Sequence, residues 1–218
     1  MLVIEGSRRM KTPRILNQLE AYWEALRPEG GLPSRDDVNP RGIEDALDYS
    51  FLLARSHSGE AVFRVAGERL GELFGVPLER VPMSVLFSRE CQPQLAKGLK
   101  SVFDSPGILR AEMLSASNLM RPELTAHLLI MPLQPQIGEQ SLALGALHID
   151  GIVGKPPRQF TQISLNLTRI VLDQSPLTTS SVQSEFGMAE SSSSFEHKEK
   201  RPVVAGRPKF KIIDGGLD

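Results

Sequence analysis

The 218-residue chain has little that would cross-link it or direct it out of the cell. Cys91 is its single cysteine, so no disulfide can form within the chain. The amino terminus lacks the charged, apolar and small-residue regions that make up a secretory signal. We therefore expect a protein of the reducing cytoplasm.

Long apolar runs and an excess of one charge are also missing. The apolar stretch from Leu128 to Leu133 is interrupted by Pro132 and is far shorter than the roughly 20 residues that span a bilayer. Basic residues number 25 and acidic residues 26, so the net charge of −1 gives no field that would attract a polyanion. We expect a soluble protein that binds neither nucleic acid nor a membrane.

Motifs for catalysis and for metal binding are absent from the sequence. No two histidines have the i, i+4 spacing of a helical metal site, and one cysteine cannot build a zinc cluster. No Gly-x-Ser-x-Gly elbow is present for a nucleophilic serine. The sequence thus predicts no catalytic residues and no metal ligands. His127 and His148 lie on predicted strands and could approach each other, although a histidine with satisfied hydrogen bonds is the more common outcome.

What the sequence does contain is an ordered set of short apolar segments with strand character. They come as two strands, a stretch rich in helix formers and then three more strands. Their ranges are 50–57, 60–66, 108–116, 124–134 and 141–150. This order predicts an α+β fold in which helices pack on one five-stranded antiparallel sheet.

The fourth predicted strand is apolar on both of its faces. Alternate residues from Leu124 to Ile130 form one apolar face, and Leu129, Met131 and Leu133 form the other. A strand with one wet face would alternate apolar with polar residues, so this strand needs cover on both sides. Helices predicted at 68–75 and 88–103 can cover one face, and an amphipathic N-terminal helix at 13–27 the other.

The remainder of the chain divides into four further segments. Residues 1–12 form a basic lead-in before the domain at 13–150. The spacing of Phe160, Ile163 and Leu167 predicts an exit helix within 151–175. Residues 176–206 are serine-rich and predict a flexible linker, and 207–218 regain a strand-like pattern that suits a docking segment.

Three short stretches resemble a known family when they are taken in order. They are Leu-Glu-Ala-Tyr-Trp-Glu-Ala-Leu-Arg at 19–27, Pro-Ser-Arg-Asp-Asp-Val-Asn-Pro at 33–40 and Phe-Arg-Val-Ala-Gly-Glu-Arg-Leu at 63–70. The chain resembles the small bacterial PAS domains of the fifth PAS family over 13–150. The resemblance implies a five-stranded antiparallel sheet that can enclose a small ligand with its helices, and signalling through the sheet and the flanking helices.

The resemblance does not extend to a cofactor signature. Haem-binding PAS domains use a histidine in the helical region, and residues 68–107 contain none. Flavin-binding relatives use a cysteine in a motif that Ser-Arg-Glu-Cys-Gln-Pro around Cys91 does not match. Haem and flavin are therefore not favoured, and the cofactor stays unknown.

Two sets of apolar residues are candidate sites. The first set comes from elements that would surround a ligand cavity, and the same side chains could instead fill a core at ordinary density. It consists of Phe63, Val65, Leu73, Phe74, Leu128, Ile130 and Met131. The second set could form an interface, although its helical members could instead pack on the sheet of their own chain. It consists of Leu19, Tyr22, Trp23, Leu26, Phe210 and Ile212.

Together these features predict a non-catalytic sensory or regulatory protein of the PAS type. It would act through contacts with a signalling or regulatory protein, would form a homodimer and could respond to a small ligand. Two other functions stay open. One is a small-molecule enzyme with a sheet-lined cavity, which requires titratable groups converging inside that cavity. The other is a structural dimerisation module with a filled core.

Overall fold

The computed structural model describes residues 12–118, 121–136, 138 and 140–172, and it folds them around one six-stranded antiparallel sheet. Helices lie on both faces of this sheet. The serine-rich linker at 176–206, the docking segment at 207–218 and nearly all of the lead-in at 1–12 lie outside the described residues. Among the residues that are described, no helix is long and apolar enough to cross a membrane.

Eleven elements make up this part of the chain. They are α1 (Arg14–Ala25), a 3-10 helix (Pro40–Tyr49), β1 (Ser50–Arg55), β2 (Ala61–Ala66), α2 (Glu68–Phe74), a 3-10 turn (Met83–Leu86), α3 (Gln92–Asp104), β3 (Gly107–Ser115), β4 (Thr125–Pro132), β5 (Leu142–Asp150) and β6 (Phe160–Arg169). The order of strands across the sheet is β2-β1-β5-β4-β3-β6, and every neighbouring pair is antiparallel. The five predicted strands are confirmed to within two residues at each end, which is the usual uncertainty of an element boundary.

The predicted exit helix is wrong, because Phe160–Arg169 forms strand β6. The apolar residues at 160, 163 and 167 fit a helical stripe, but those at 163, 165 and 167 also alternate with Ser164, Asn166 and Thr168 at strand period. Pairing with β3 along the whole length of β6 decides between the two patterns. The sheet therefore has six strands, one more than expected.

Strand β4 is buried on both faces, as its sequence predicts. Leu128 and Leu129 are adjacent residues with exposed fractions of 1% and 0%. Leu128 belongs to a hydrophobic cluster that packs against α2 and α3, which we call the inner core. Leu129 belongs to a second cluster that packs against α1, which we call the outer core. The α+β class and the placement of helices on the two faces are confirmed.

Helix α1 is fixed to the sheet by apolar packing and by specific polar contacts. Leu16, Leu19 and Trp23 point into the outer core and are at most 1% exposed. The indole Nε1 of Trp23 donates to the carbonyl oxygen of Pro132 at 3.0 Å, so this buried polar atom is satisfied. Glu20 forms an ion pair with Arg110 of β3. These two polar contacts join α1 to β4 and to β3, respectively.

The two rims of the sheet differ in how they are covered. At the β2 rim, the amide of Phe63 donates to the carbonyl of Val81 at 3.0 Å, and the amide of Arg80 donates to the carbonyl of Phe63 at 2.7 Å. At the β6 rim, the amide of Ser88 donates to the carbonyl of Phe160 at 2.9 Å, at the first residue of the strand. The segment that follows α2 thus hydrogen-bonds to the middle of β2. The contact from Ser88 to β6, in contrast, lies at the first residue of that strand.

Candidate functional site

Five of the seven predicted cavity residues meet in the inner core. Phe63, Leu73, Leu128 and Ile130 are each at most 1% exposed, and the partly buried Phe74 packs against them. They come from β2, α2 and β4, which are the elements expected to surround a ligand. The structure brings these side chains into one cluster, and ligand binding among them stays a prediction.

The other two predicted cavity residues do not belong to this cluster. Met131 is fully buried, but it lies in the outer core, because it shares the face of β4 that Leu129 occupies. Val65 is 61% exposed. Leu52 pairs with Val65 whereas Leu53 pairs with Phe63, so a β-bulge adds one residue to β2 between these two positions. Because one extra residue reverses the alternation of side chains, Val65 turns away from the inner core.

A cleft of about 530 Å³ opens between α3 and the β1–β2 hairpin. Leu95 and Leu99 line it and also belong to the inner core, so its floor is continuous with the predicted cavity residues. Arg55 and Lys100 lie at its mouth, and both pair with Asp104. The hydrogen bond from Lys100 is the largest cause that lowers the pKa of the Asp104 carboxyl, and the hydrogen bond from Arg55 is the second. This cleft has an apolar floor and a charged rim, which suits a small amphipathic ligand.

A second, more apolar groove of about 340 Å³ lies on the opposite face, beside β1 and β2. Leu47 and Val65 line it, and they are exposed by 44% and 61% although both are large aliphatic residues. Ile43 and Leu144 also line it and are members of the outer core. We call this surface the outer groove. Sequence reasoning missed it because the β2 bulge, which turns Val65 outward, has no sequence signal of its own.

The predicted interface on α1 is largely occupied by packing within the chain. Leu19 and Trp23 are buried against the sheet, so they do not form an exposed interface. Tyr22 and Leu26 are partly buried against the same cluster. The Tyr22 hydroxyl accepts from the Asn39 amide at 2.8 Å and donates to the Asn39 carbonyl at 3.2 Å. The two remaining interface candidates, Phe210 and Ile212, lie outside the described residues.

The two strand histidines do meet, and a carboxylate joins them. His127 of β4 lies directly opposite His148 of β5. The Nε2 atom of each imidazole lies 3.1 Å from one carboxylate oxygen of Asp150. They lie on the α1 side, where His148, Asp150 and Arg14 line an open depression at the start of the helix. One carboxylate thus orients two imidazoles.

This histidine pair is not arranged as a metal centre. Both Nε2 atoms are directed at oxygens of the same Asp150 carboxylate. Within the described ranges, no group of three or more histidine, cysteine or acidic side chains is placed to hold a metal ion. The cluster also lies on the face opposite the inner core, so these titratable groups do not converge inside the predicted ligand cavity.

A buried arginine that sequence reasoning missed holds two loops together. Arg158 is 2% exposed, and its guanidinium donates to the carbonyls of Val153 and Pro122 and to the hydroxyl of Ser115. Burial lowers the pKa of Arg158, and the charge of Arg121 lowers it further. Three oxygen acceptors compensate for the burial of the charge. Its role is to join the loop after β5 to the loop between β3 and β4.

Comparison with known proteins supplies the family. A search of curated proteins found no match. A family model described as a PAS domain matches residues 10–148, which is well over half of the chain. The matched range runs from the residues before α1 into β5, and it excludes β6. The chain belongs to the PAS domain family.

Proposed function

We propose that this protein is a non-catalytic regulator that acts by binding a signalling or regulatory partner protein. PAS domains are a family of sensory and regulatory domains, and they commonly mediate contacts between proteins. The observation that carries the specific role is the outer groove, where the exposed Leu47 and Val65 line the same apolar depression. A contiguous exposed apolar surface of this kind is typical of a protein-binding site.

The outer groove is connected to the packing of α1. Ile43 and Leu144 line the groove and also contact the outer core in which Trp23 is buried. A partner that inserts aliphatic side chains between Leu47 and Val65 would therefore contact the cluster that holds α1 on the sheet. Covering these side chains would contribute about 25 cal/mol for each Å² of apolar surface removed from water.

Two exposed aliphatic residues give a test of this proposal with its control. Val65 lies in the outer groove and is 61% exposed, whereas Ile152 follows β5 outside the groove and is 77% exposed. The full chain with Val65→Asp should lose at least tenfold in affinity for a partner captured by the wild type, and Ile152→Asp should bind it like the wild type. Calorimetry with the purified partner measures this. Equal binding by all three proteins, or no regulatory partner in quantitative capture from the native host, would overturn the proposal.

The proposal includes a small ligand that modulates partner binding. The cleft beside α3 supports this part, because Leu95 and Leu99 connect its floor to the inner core. A ligand there would change packing against β4, and β4 is shared with the outer core. Signal would pass from ligand to α1 through this strand.

We further propose a cytoplasmic homodimer. Cys91 is the single cysteine of the chain and is buried, so the fold uses no disulfide within the chain, as is usual for proteins of a reducing compartment. The homodimer is supported by the long strand β6. It lies at the edge of the sheet, where one side pairs with β3 and the other side has no neighbouring strand among the described residues.

A further inference from the structure

We propose that the outer edge of β6 pairs with β6 of a second copy of this chain, antiparallel and in a register centred on Leu165. The two sheets would then join into one continuous sheet. This assignment rests on the proposed homodimer and names the surface that forms it. It involves neither the outer groove nor the cleft beside α3.

The backbone of β6 presents a row of hydrogen-bonding groups on the side away from β3. The amide of Ile170 donates to the carbonyl of Pro106 at 2.9 Å, so even-numbered residues of this strand direct their backbone groups towards β3. The odd-numbered residues Ile163, Leu165, Leu167 and Arg169 therefore direct theirs away from the sheet. Within the described part of the chain, no hydrogen bond reaches these outward groups. Such a row is a template for another strand.

The sequence of β6 lacks the features that normally prevent edge pairing. Natural edge strands are protected by charged side chains, proline or a bulge in the exposed stretch. In Phe160–Arg169 the only charged residue is the last one, and there is no proline. The irregularity in its pairing with β3 lies at the start, near Phe160. The stretch from Ile163 to Arg169 is regular, and none of the other described strands pairs with its outer edge.

The side chains of β6 match those of an antiparallel copy of itself, which is why the occupant is a second copy. With the two-fold axis at Leu165, that residue faces itself and Ile163 faces Leu167, so aliphatic side chains meet on the inner-core face. Leu167, now 37% exposed, would gain apolar cover. On the other face the pairs are polar, Ser164 with Asn166 and Gln162 with Thr168. Cross-strand pairs of matched character stabilise a sheet.

Moving the axis by one residue gives a poorer match. An axis at Asn166 would place the charged Arg169 opposite the aliphatic Ile163. In the register centred on Leu165, Arg169 faces Thr161, whose side chain is exposed and polar. The charge then stays at the border of the contact, where water reaches it. An axis at Ser164 would place the aliphatic Leu167 opposite the polar Thr161. Of these three registers, the one centred on Leu165 therefore has the best match of side chains.

The test measures the association of the full chain and the exchange of individual β6 amides. Leu167→Lys places a charge on the exposed edge, and Ile152→Lys is its control, because Ile152 is 77% exposed and lies outside β6. Sedimentation equilibrium should show dimers for the wild type and Ile152→Lys, and at least tenfold weaker dimerisation for Leu167→Lys. Circular dichroism verifies that all three proteins are folded.

Amide exchange followed by NMR identifies the occupant of the edge. The amides of Ile163, Leu165, Leu167 and Arg169 should gain protection as wild-type concentration rises, and Leu167→Lys should lose that gain. Dimers that Leu167→Lys does not weaken would overturn the β6 assignment while leaving the proposed homodimer intact. Monomers at every concentration would overturn both, and protection of these amides in such monomers would identify a segment of the same chain as the occupant. Partner binding through the outer groove is tested separately by Val65→Asp.

Discussion

Two glycines, four residues apart, differ sharply in the space around them. A Cβ atom built on Gly67 would lie 2.3 Å from the carbonyl oxygen of Asp48, which is backbone and cannot move aside easily. A Cβ atom on Gly71, inside α2, would have its nearest neighbour, the carbonyl oxygen of Val76, at 4.0 Å. Gly67 is required by the close approach of two chain segments, whereas Gly71 only weakens its helix.

Alanine substitutions at these glycines should therefore change stability in opposite directions. Gly67→Ala should lower the free energy of unfolding by about 1–3 kcal/mol, as overpacking does. Gly71→Ala should raise it by about 0.5–1 kcal/mol, because alanine favours a helix interior more than glycine does. Urea unfolding of the two variants beside the wild type measures both changes. Loss of stability in Gly71→Ala would contradict the open space seen at that position.

At the scale of elements, one carboxylate joins the end of α3 to β1. Asp104 is the last residue of α3, and it pairs with Lys100 one turn earlier and with Arg55 of β1. Because these partners lower the pKa of Asp104 in the folded protein, the stability they contribute is present above the pKa of the unfolded chain. That contribution is lost as pH falls through the lower pKa of the folded state.

Acid should therefore destabilise the wild type more than Asp104→Asn. The expected result is a loss of unfolding free energy between about pH 6 and pH 2.5 that is smaller in the variant, since the paired carboxylate is gone at both pH values. Urea unfolding at each pH measures the difference. Lys100→Met should remove part of the same pH dependence of the unfolding free energy. The double variant should lose less of this pH dependence than the sum of the losses in the two single variants. Identical acid profiles for wild type and Asp104→Asn would refute this role.

Elements could be predicted from sequence where the local pattern and the tertiary structure agree. The alternation along β4 assigned Leu128 and Leu129 to opposite faces, and both proved to be buried. The 160–169 stretch fits both the helical and the strand period, and its pairing with β3 decides in favour of a strand. Val65 was misplaced because a bulge is a feature of strand pairing. The outer groove, the contacts of Arg158 and the distances from Asp150 to its two histidines depend on packing between distant segments, which no local pattern encodes.

At the scale of the whole molecule, β4 separates the inner core from the outer core and contributes side chains to both. Leu128 and Ile130 face α2 and α3, and Leu129 and Met131 face α1. Because protein interiors are close-packed, a change in side-chain volume on one face shifts the strand and is felt on the other. The PAS domain therefore has a direct physical connection between its inner core and its N-terminal helix.

Truncating Leu128 should consequently increase local opening of α1, although Leu128 lies in the inner core and α1 packs on the opposite face of the sheet. Leu128→Ala should cost about 2–5 kcal/mol of stability and should speed amide exchange in α1. Leu73→Ala is the control, because Leu73 is equally buried in the inner core but lies on α2. Hydrogen exchange compared at equal global stability measures the effect. Equal exchange of α1 in both variants would show that β4 does not couple the two cores.

The closed rim at β2 sets a limit on assembly. Val81 and Arg80 already hydrogen-bond to Phe63, in the middle of that strand. If sheets join through β6, each copy has one open rim and one closed rim at this point, so the first pairing leaves no equivalent edge for a third copy. Growth into fibrils by addition of strands then ends at two chains, and the closed rim acts as a terminator of polymerisation.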